Sequence, residues 1–174
     1  MKKTIKLLTL VLTMFLSTAV FAQECEYEIN EVDKFTKEKK VVTKPVMVAK
    51  SLKIAKILKI KTVKWKVKNE NNRKYLMTSY NLSKGSIVMV GSEKLILLLR
   101  NNESISLNIN SLIPNMQGKF NSYVAEFTYN LTDEDLAKLV KYDVKDIRVE
   151  AMINGFDYNL IDEVSTKSIF KCIN

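Results

Sequence analysis

Between positions 50 and 74 the chain carries Lys50, Lys53, Lys56, Lys59, Lys61, Lys64, Lys66, Lys68, Arg73 and Lys74 against a single acid, Glu70. Cations grouped this densely can attract an anionic surface, because their potentials add over the ~8 Å Debye length of physiological salt. In Lys64-Trp65-Lys66-Val67-Lys68 the cations alternate with apolar residues. On a strand, Lys64, Lys66 and Lys68 would then share a wet face, and Val63, Trp65 and Val67 a buried one. Asn69-Glu70-Asn71-Asn72 is turn chemistry, so Arg73 and Lys74 can flank the lysine face from the partner strand. The candidate binding residues are therefore Lys64, Lys66, Lys68, Arg73 and Lys74. Their partner would be an anionic polymer, a lipid headgroup such as that of lipopolysaccharide, or an acidic protein. The same lysines also serve a plainer end, solvating strand faces and opposing edge-to-edge pairing. Nucleic acid fits poorly, because alternation turns Trp65 away from the lysines, whereas single-strand binders place rings and cations in one groove.

The remaining chemistry is narrow. The chain has no histidine, which removes Ser/His/Asp and Cys/His catalysis and any histidine metal ligand. Asp133, Glu134 and Asp135 sit where acids stabilise a helix N-terminus. Asp143 and Asp146 lack the glycine and spaced oxygen ligands of a calcium loop. Gly85, Gly91, Gly118 and Gly155 are too scattered to cradle a phosphate. No metal or cofactor is expected. Asp157 and Asp162, separated by a strand end, make no recognisable pair; a histidine-free hydrolase using dispersed carboxylates that the fold assembles from distant positions is the alternative to a non-catalytic interaction module.

The elements that would position these residues begin after an export signal. Lys2, Lys3 and Lys6 precede an apolar run from Leu7 to Phe21, and Val20-Phe21-Ala22 is a cleavage signal, so residues 1–22 read as a signal peptide and 23–174 as one domain. Without Lys2, Lys3 and Lys6 the formal charge falls from +9 to +6. Lysines interrupt every later apolar stretch except short strand-length runs, so no transmembrane span is expected after cleavage. Cys25 and Cys172 are the only cysteines. In an oxidising compartment, periplasmic or extracellular, one pair has one connectivity, so a Cys25–Cys172 disulfide in a monomer is expected.

Strand signals dominate the domain. Glu26 to Val32 and Lys39 to Thr43 flank a polar turn, and Pro45 breaks the run. Val63 to Val67 pairs with Lys74 to Tyr80, and Ser86 to Val90 with Lys94 to Arg100. Ser104 to Ile109 and Tyr123 to Tyr129 follow, and Ile147 to Ile153 turns through Asn154-Gly155 into Phe156 to Leu160. Lys50 to Ile60 reads as a strand with a bulge near Lys56. Thr132 with Asp135 forms a capping motif for a helix that buries Leu136, Leu139 and Val140. A short last helix would bury Ile169, Phe170 and Ile173. The expected class is α+β, a predominantly antiparallel, hairpin-connected sheet with one or two late helices packed on it; an all-β sandwich with peripheral helices is the alternative.

Asn30-Glu31-Val32-Asp33-Lys34-Phe35-Thr36, followed by a Lys-rich strand, resembles the opening of a loose group of uncharacterised secreted bacterial proteins. Lys74-Tyr75-Leu76, the Leu95 to Leu99 hairpin, and Leu131 through Val144-Lys145-Asp146-Ile147-Arg148 are similar in order and spacing. Such proteins often carry glycine after the Phe-Thr pair, where this chain has Lys37. The resemblance implies an exported bacterial domain and no particular activity.

Overall fold

The structure is a computed structural model that describes residues 25–54, 58–83, 92–115, 122–151, 156–162 and 164–174. The expected signal peptide, the Ser86 to Val90 strand and the Asn154-Gly155 turn lie outside the described residues. In chain order the elements are β1 (Tyr27–Val32), β2 (Lys39–Thr43), β3 (Val46–Ile54), β4 (Leu58–Glu70), β5 (Arg73–Ser83), β6 (Ser92–Leu99), β7 (Ser104–Asn115), β8 (Ser122–Leu131), α1 (Asp133–Lys141), β9 (Val144–Ala151), β10 (Phe156–Asn159) and α2 (Thr166–Lys171).

All the strands join one sheet in the order β1-β2-β4-β5-β8-β7-β6-β9-β10, with β3 also on β4. The pairings run antiparallel throughout. β2 and β3 share one edge of β4: Val42 sits opposite Lys68, and Val46 opposite Trp65. Pro45 forces the break between them, since it lacks the N–H a ladder needs. The Thr43 hydroxyl fills the gap by accepting the Val67 N–H at 3.0 Å, so no buried donor is left unpaired there.

Period-two patterning explains the two sides of the sheet. Val63, Trp65 and Val67 of β4 are fully buried, as are Leu76 and Tyr80 of β5 and Leu95, Leu97 and Leu99 of β6. The sheet also curls. Tyr80, near the middle of the strand order, meets Phe156 and Tyr158 of terminal β10 at ring-centroid distances of 6.3 and 6.4 Å. Beyond β10 the Ile161 N–H donates to the Val48 carbonyl of β3 at 2.9 Å. The Tyr80 and Tyr158 hydroxyls lie 3.4 Å apart in this core, and burial pushes both phenol pKa values up, so both stay neutral.

The two helices complete the core at one place. Leu136 and Leu139 of α1 join Ile169, Phe170 and Ile173 in the main apolar cluster, and Phe170 lies edge-on to Trp65 at 6.2 Å. The Thr132 hydroxyl accepts the Asp135 N–H and the Asp135 carboxylate accepts the Thr132 N–H, each at 3.1 Å, closing the expected capping box. Helix α2 makes no hydrogen bond to its own N-cap side chain. Asp143 does that work from the α1–β9 junction: its Oδ1 accepts from the Lys167 N–H (3.1 Å), the Ser165 hydroxyl (3.0 Å) and the Thr166 hydroxyl (3.3 Å). Thr166 in turn accepts the buried Val144 N–H at 2.8 Å. After α2, Cys172 is bonded to Cys25, with Cα atoms 5.6 Å apart.

The expected antiparallel, hairpin-rich sheet with late helices is thus present in a coarser form, an all-β-dominant open sheet with two small helices. Lys50 to Ile60 differs from the single bulged strand expected. It belongs to two antiparallel strands, with Ile54 opposite Leu58. The bulge expected at Lys56 lies outside the described residues. No helix among the described residues is long and apolar enough to cross a membrane.

Candidate functional site

Lys64, Lys66 and Lys68 of β4 stand on the side of the sheet away from the apolar cluster. Lys64 is exposed, while Lys66 and Lys68 are half-buried. Register sets Lys64 opposite Ser79, Lys66 opposite Met77, Lys68 opposite Tyr75, and Glu70 opposite Arg73. Lys64, Lys66, Lys68 and Arg73 therefore share a face. Lys74 does not: it lies opposite Asn69 on the other side, and its ammonium is 2.6 Å from the Asp133 carboxylate at the start of α1.

Carboxylates from distant segments meet this face. Lys66 pairs with Glu28 at 3.3 Å. Glu70 is shared between Lys68 and Lys40, the latter at 3.1 Å. The Lys68 ammonium, then that of Lys40, holds the Glu70 carboxyl below its ordinary pKa. Lys68 also lies 5.7 Å from the centre of the Tyr75 ring. Glu31, opposite Lys40, and Glu126, opposite Ser79, complete the acids. Among the described residues Lys40, Lys50, Lys64, Lys66, Lys68 and Arg73 thus share the face with Glu28, Glu31, Glu70 and Glu126. It is a charge mosaic, not the continuous positive field the sequence spacing suggests. Sequence reasoning missed Glu28 and Lys40 because only the pairing of β1 with β2 and of β2 with β4 brings them here.

Three hollows indent the surface formed by the described residues. One of about 230 Å³ lies between Glu28, Pro45, Lys64, Lys66, Met77 and Glu126. Another, of about 300 Å³, runs beside the disulfide between Glu26, Thr43, Lys44, Ser168 and Ile169. A third, of about 540 Å³, opens between the β1–β2 turn and Glu70 and Asn71.

Three of the carboxylates considered at the outset, Asp135, Asp143 and Asp157, hold structural posts. Asp135 closes the α1 cap, and Asp143 caps α2. Asp157 accepts two bonds from Arg148, at 2.7 and 2.8 Å, which hold its pKa down and keep it ionised. Glu28, the one carboxylate besides Glu126 in the β4 hollow, is ion-paired. Among the described residues no three His, Cys, Asp or Glu side chains gather where a metal ion could be held. Comparison with protein-family models, with curated proteins and with solved structures returns no match.

Proposed function

We propose that the chain is an exported interaction module without catalytic activity, whose partner is an anionic envelope component or an acidic protein. The observation that carries this reading is uneven neutralisation on the β4–β5 face. One carboxylate, Glu70, serves both Lys40 and Lys68, and Lys64 and Arg73 have no carboxylate partner among the described residues. The Cys25–Cys172 disulfide supports export, because such bonds persist in oxidising compartments.

The test is binding of residues 23–174 to purified lipopolysaccharide and to an acidic polysaccharide at low and at physiological salt. Binding should weaken as salt rises, and the Lys64→Gln, Lys66→Gln, Lys68→Gln triple variant should lose it. The fold should survive in that variant, since the buried side of β4 is Val63, Trp65 and Val67. Equal binding by parent and variant would remove the strand face from consideration, and no binding to any polyanion at low salt would remove the anionic partner.

A further inference from the structure

The most exposed large apolar side chain among the described residues is Phe35, 91% accessible at the β1–β2 turn, with Val32 at 56% just before it. The turn that carries it is ordered by its own hydrogen bonds. Asp33 Oδ1 accepts the Phe35 N–H at 2.8 Å and the Thr36 N–H at 2.7 Å. The Asp33 N–H donates to the Glu38 carbonyl at 2.9 Å, and the Lys37 N–H to the Asp33 carbonyl at 3.0 Å. Lys37 closes the turn at φ 61°, a left-handed conformation that strains a residue with a Cβ. The ring is therefore presented by a backbone already fixed, so little ordering remains to be done on binding.

Charged residues of both signs flank it. Lys34, Lys37 and Lys39 are exposed and have no carboxylate partner among the described residues, while Lys40 is occupied by Glu70. Arg73, opposite Glu70, stands at the same end of the sheet. Against these are Glu31, Glu38 and Asp33, whose carboxylate is turned onto backbone N–H groups.

We propose that this end of the sheet is a peripheral contact site for an anionic lipid bilayer, with Phe35 entering the headgroup boundary and Lys34, Lys37 and Lys39 meeting lipid phosphates. An exposed aromatic ring with unpaired, exposed lysines on the same turn and the strand that follows matches the bilayer interface, where rings settle at headgroup depth and long cationic side chains reach the phosphates. A protein partner fits less well. A standard interface covers about 800 Å² per side around an apolar centre. Val32 and Phe35 do not supply such a centre, and Met47, the remaining exposed large apolar residue among those described, belongs to β3. The inference takes from the proposed function only the preference for anions, and centres on an adjoining surface, the β1–β2 turn, that Lys64, Lys66 and Lys68 do not form.

Co-sedimentation with mixed phosphatidylethanolamine–phosphatidylglycerol vesicles, against phosphatidylcholine alone, tests it on oxidised residues 23–174. Phe35→Ala should weaken binding to the anionic vesicles by about ten- to hundredfold, the factor for losing one buried phenylalanine. In Phe35→Trp, brominated lipid should quench the new tryptophan and spare Trp65, which is fully buried. Binding by Phe35→Ala equal to the parent, or an unquenched Phe35→Trp, overturns the proposal. If Phe35→Ala binds normally while the Lys64, Lys66, Lys68 triple variant does not, the lipid contact fails and the β4 reading stands. The reverse pattern upholds the lipid contact and removes the β4 face.

Discussion

Replacing Asp143 by asparagine should destabilise the protein at neutral pH and stop doing so in acid. The carboxylate is only 21% exposed and holds the Lys167 N–H, two hydroxyls and the Lys167 ammonium at 3.2 Å. Burial works to raise its pKa, but the backbone N–H, the Ser165 hydroxyl and the Lys167 ammonium outweigh burial and hold it below the ordinary 3.8. Hydrogen bonds to a charged acceptor contribute about 1.5 to 3 kcal/mol, against roughly 1 for neutral ones. Asparagine keeps one acceptor oxygen and loses the charge, so the expected cost at pH 7 is about 1 to 2 kcal/mol. Alanine strands the Lys167 N–H and the Thr166 hydroxyl, and should cost about 3. A carboxyl whose pKa is lower folded than unfolded stabilises fully above the unfolded value, and that stabilisation is lost as pH falls through the folded value. Urea unfolding of parent and Asp143→Asn, repeated from pH 7 downward, should therefore show a gap that is constant to about pH 5 and closes in more acid solution. Other depressed carboxylates, Glu70 and Asp157 among them, are common to both proteins and cancel in the difference. A gap that ignores pH, or none at pH 7, refutes the account of how α2 is held.

Oxidised protein should show no titratable thiol and run as a monomer on a non-reducing gel, and the Cys25→Ser, Cys172→Ser double variant should lose up to about 5 kcal/mol for the 147-residue separation; two reactive thiols in the oxidised protein would sink this. Lys37→Gly should raise the melting temperature, by up to about 1 kcal/mol of stability, because glycine takes φ 61° without strain; an unchanged transition would mean the turn carries none.

What was legible in the sequence is what repeats locally. Val63, Trp65 and Val67 announced their burial by alternation, Thr132 and Asp135 announced a helix start by their spacing, and two cysteines allow a single pairing. The pairing of β5 with β8 and of β6 with β9 was not legible, because no local pattern records which non-consecutive strand a strand meets. That Lys50 to Ile60 belongs to two strands was hidden by lysine and aliphatic residues recurring along the sequence. The candidate site suffered most from this. Counting charges along the chain from Lys50 to Lys74 gives a strongly basic segment, whereas Glu28 arrives from β1 and Lys74 departs to α1, so the charge of the face is decided by strand order. Phe35 carried no signal at all, since nothing in Asp33-Lys34-Phe35-Thr36 says which way the ring will point.

The bond between Cys25 and Cys172 also sets where tension would run. A pull applied to the chain before Cys25 and after Cys172 would pass from one sulfur to the other across a gap of 5.6 Å between Cα atoms, without crossing a single strand pair. Oxidised, the sheet should behave as a bead on a string, contributing almost no extension under force. Reduced, the same pull would act on β1 at one side and on α2 at the other, and the sheet would be opened from its ends. Single-molecule stretching with and without reductant would read that difference directly as contour length.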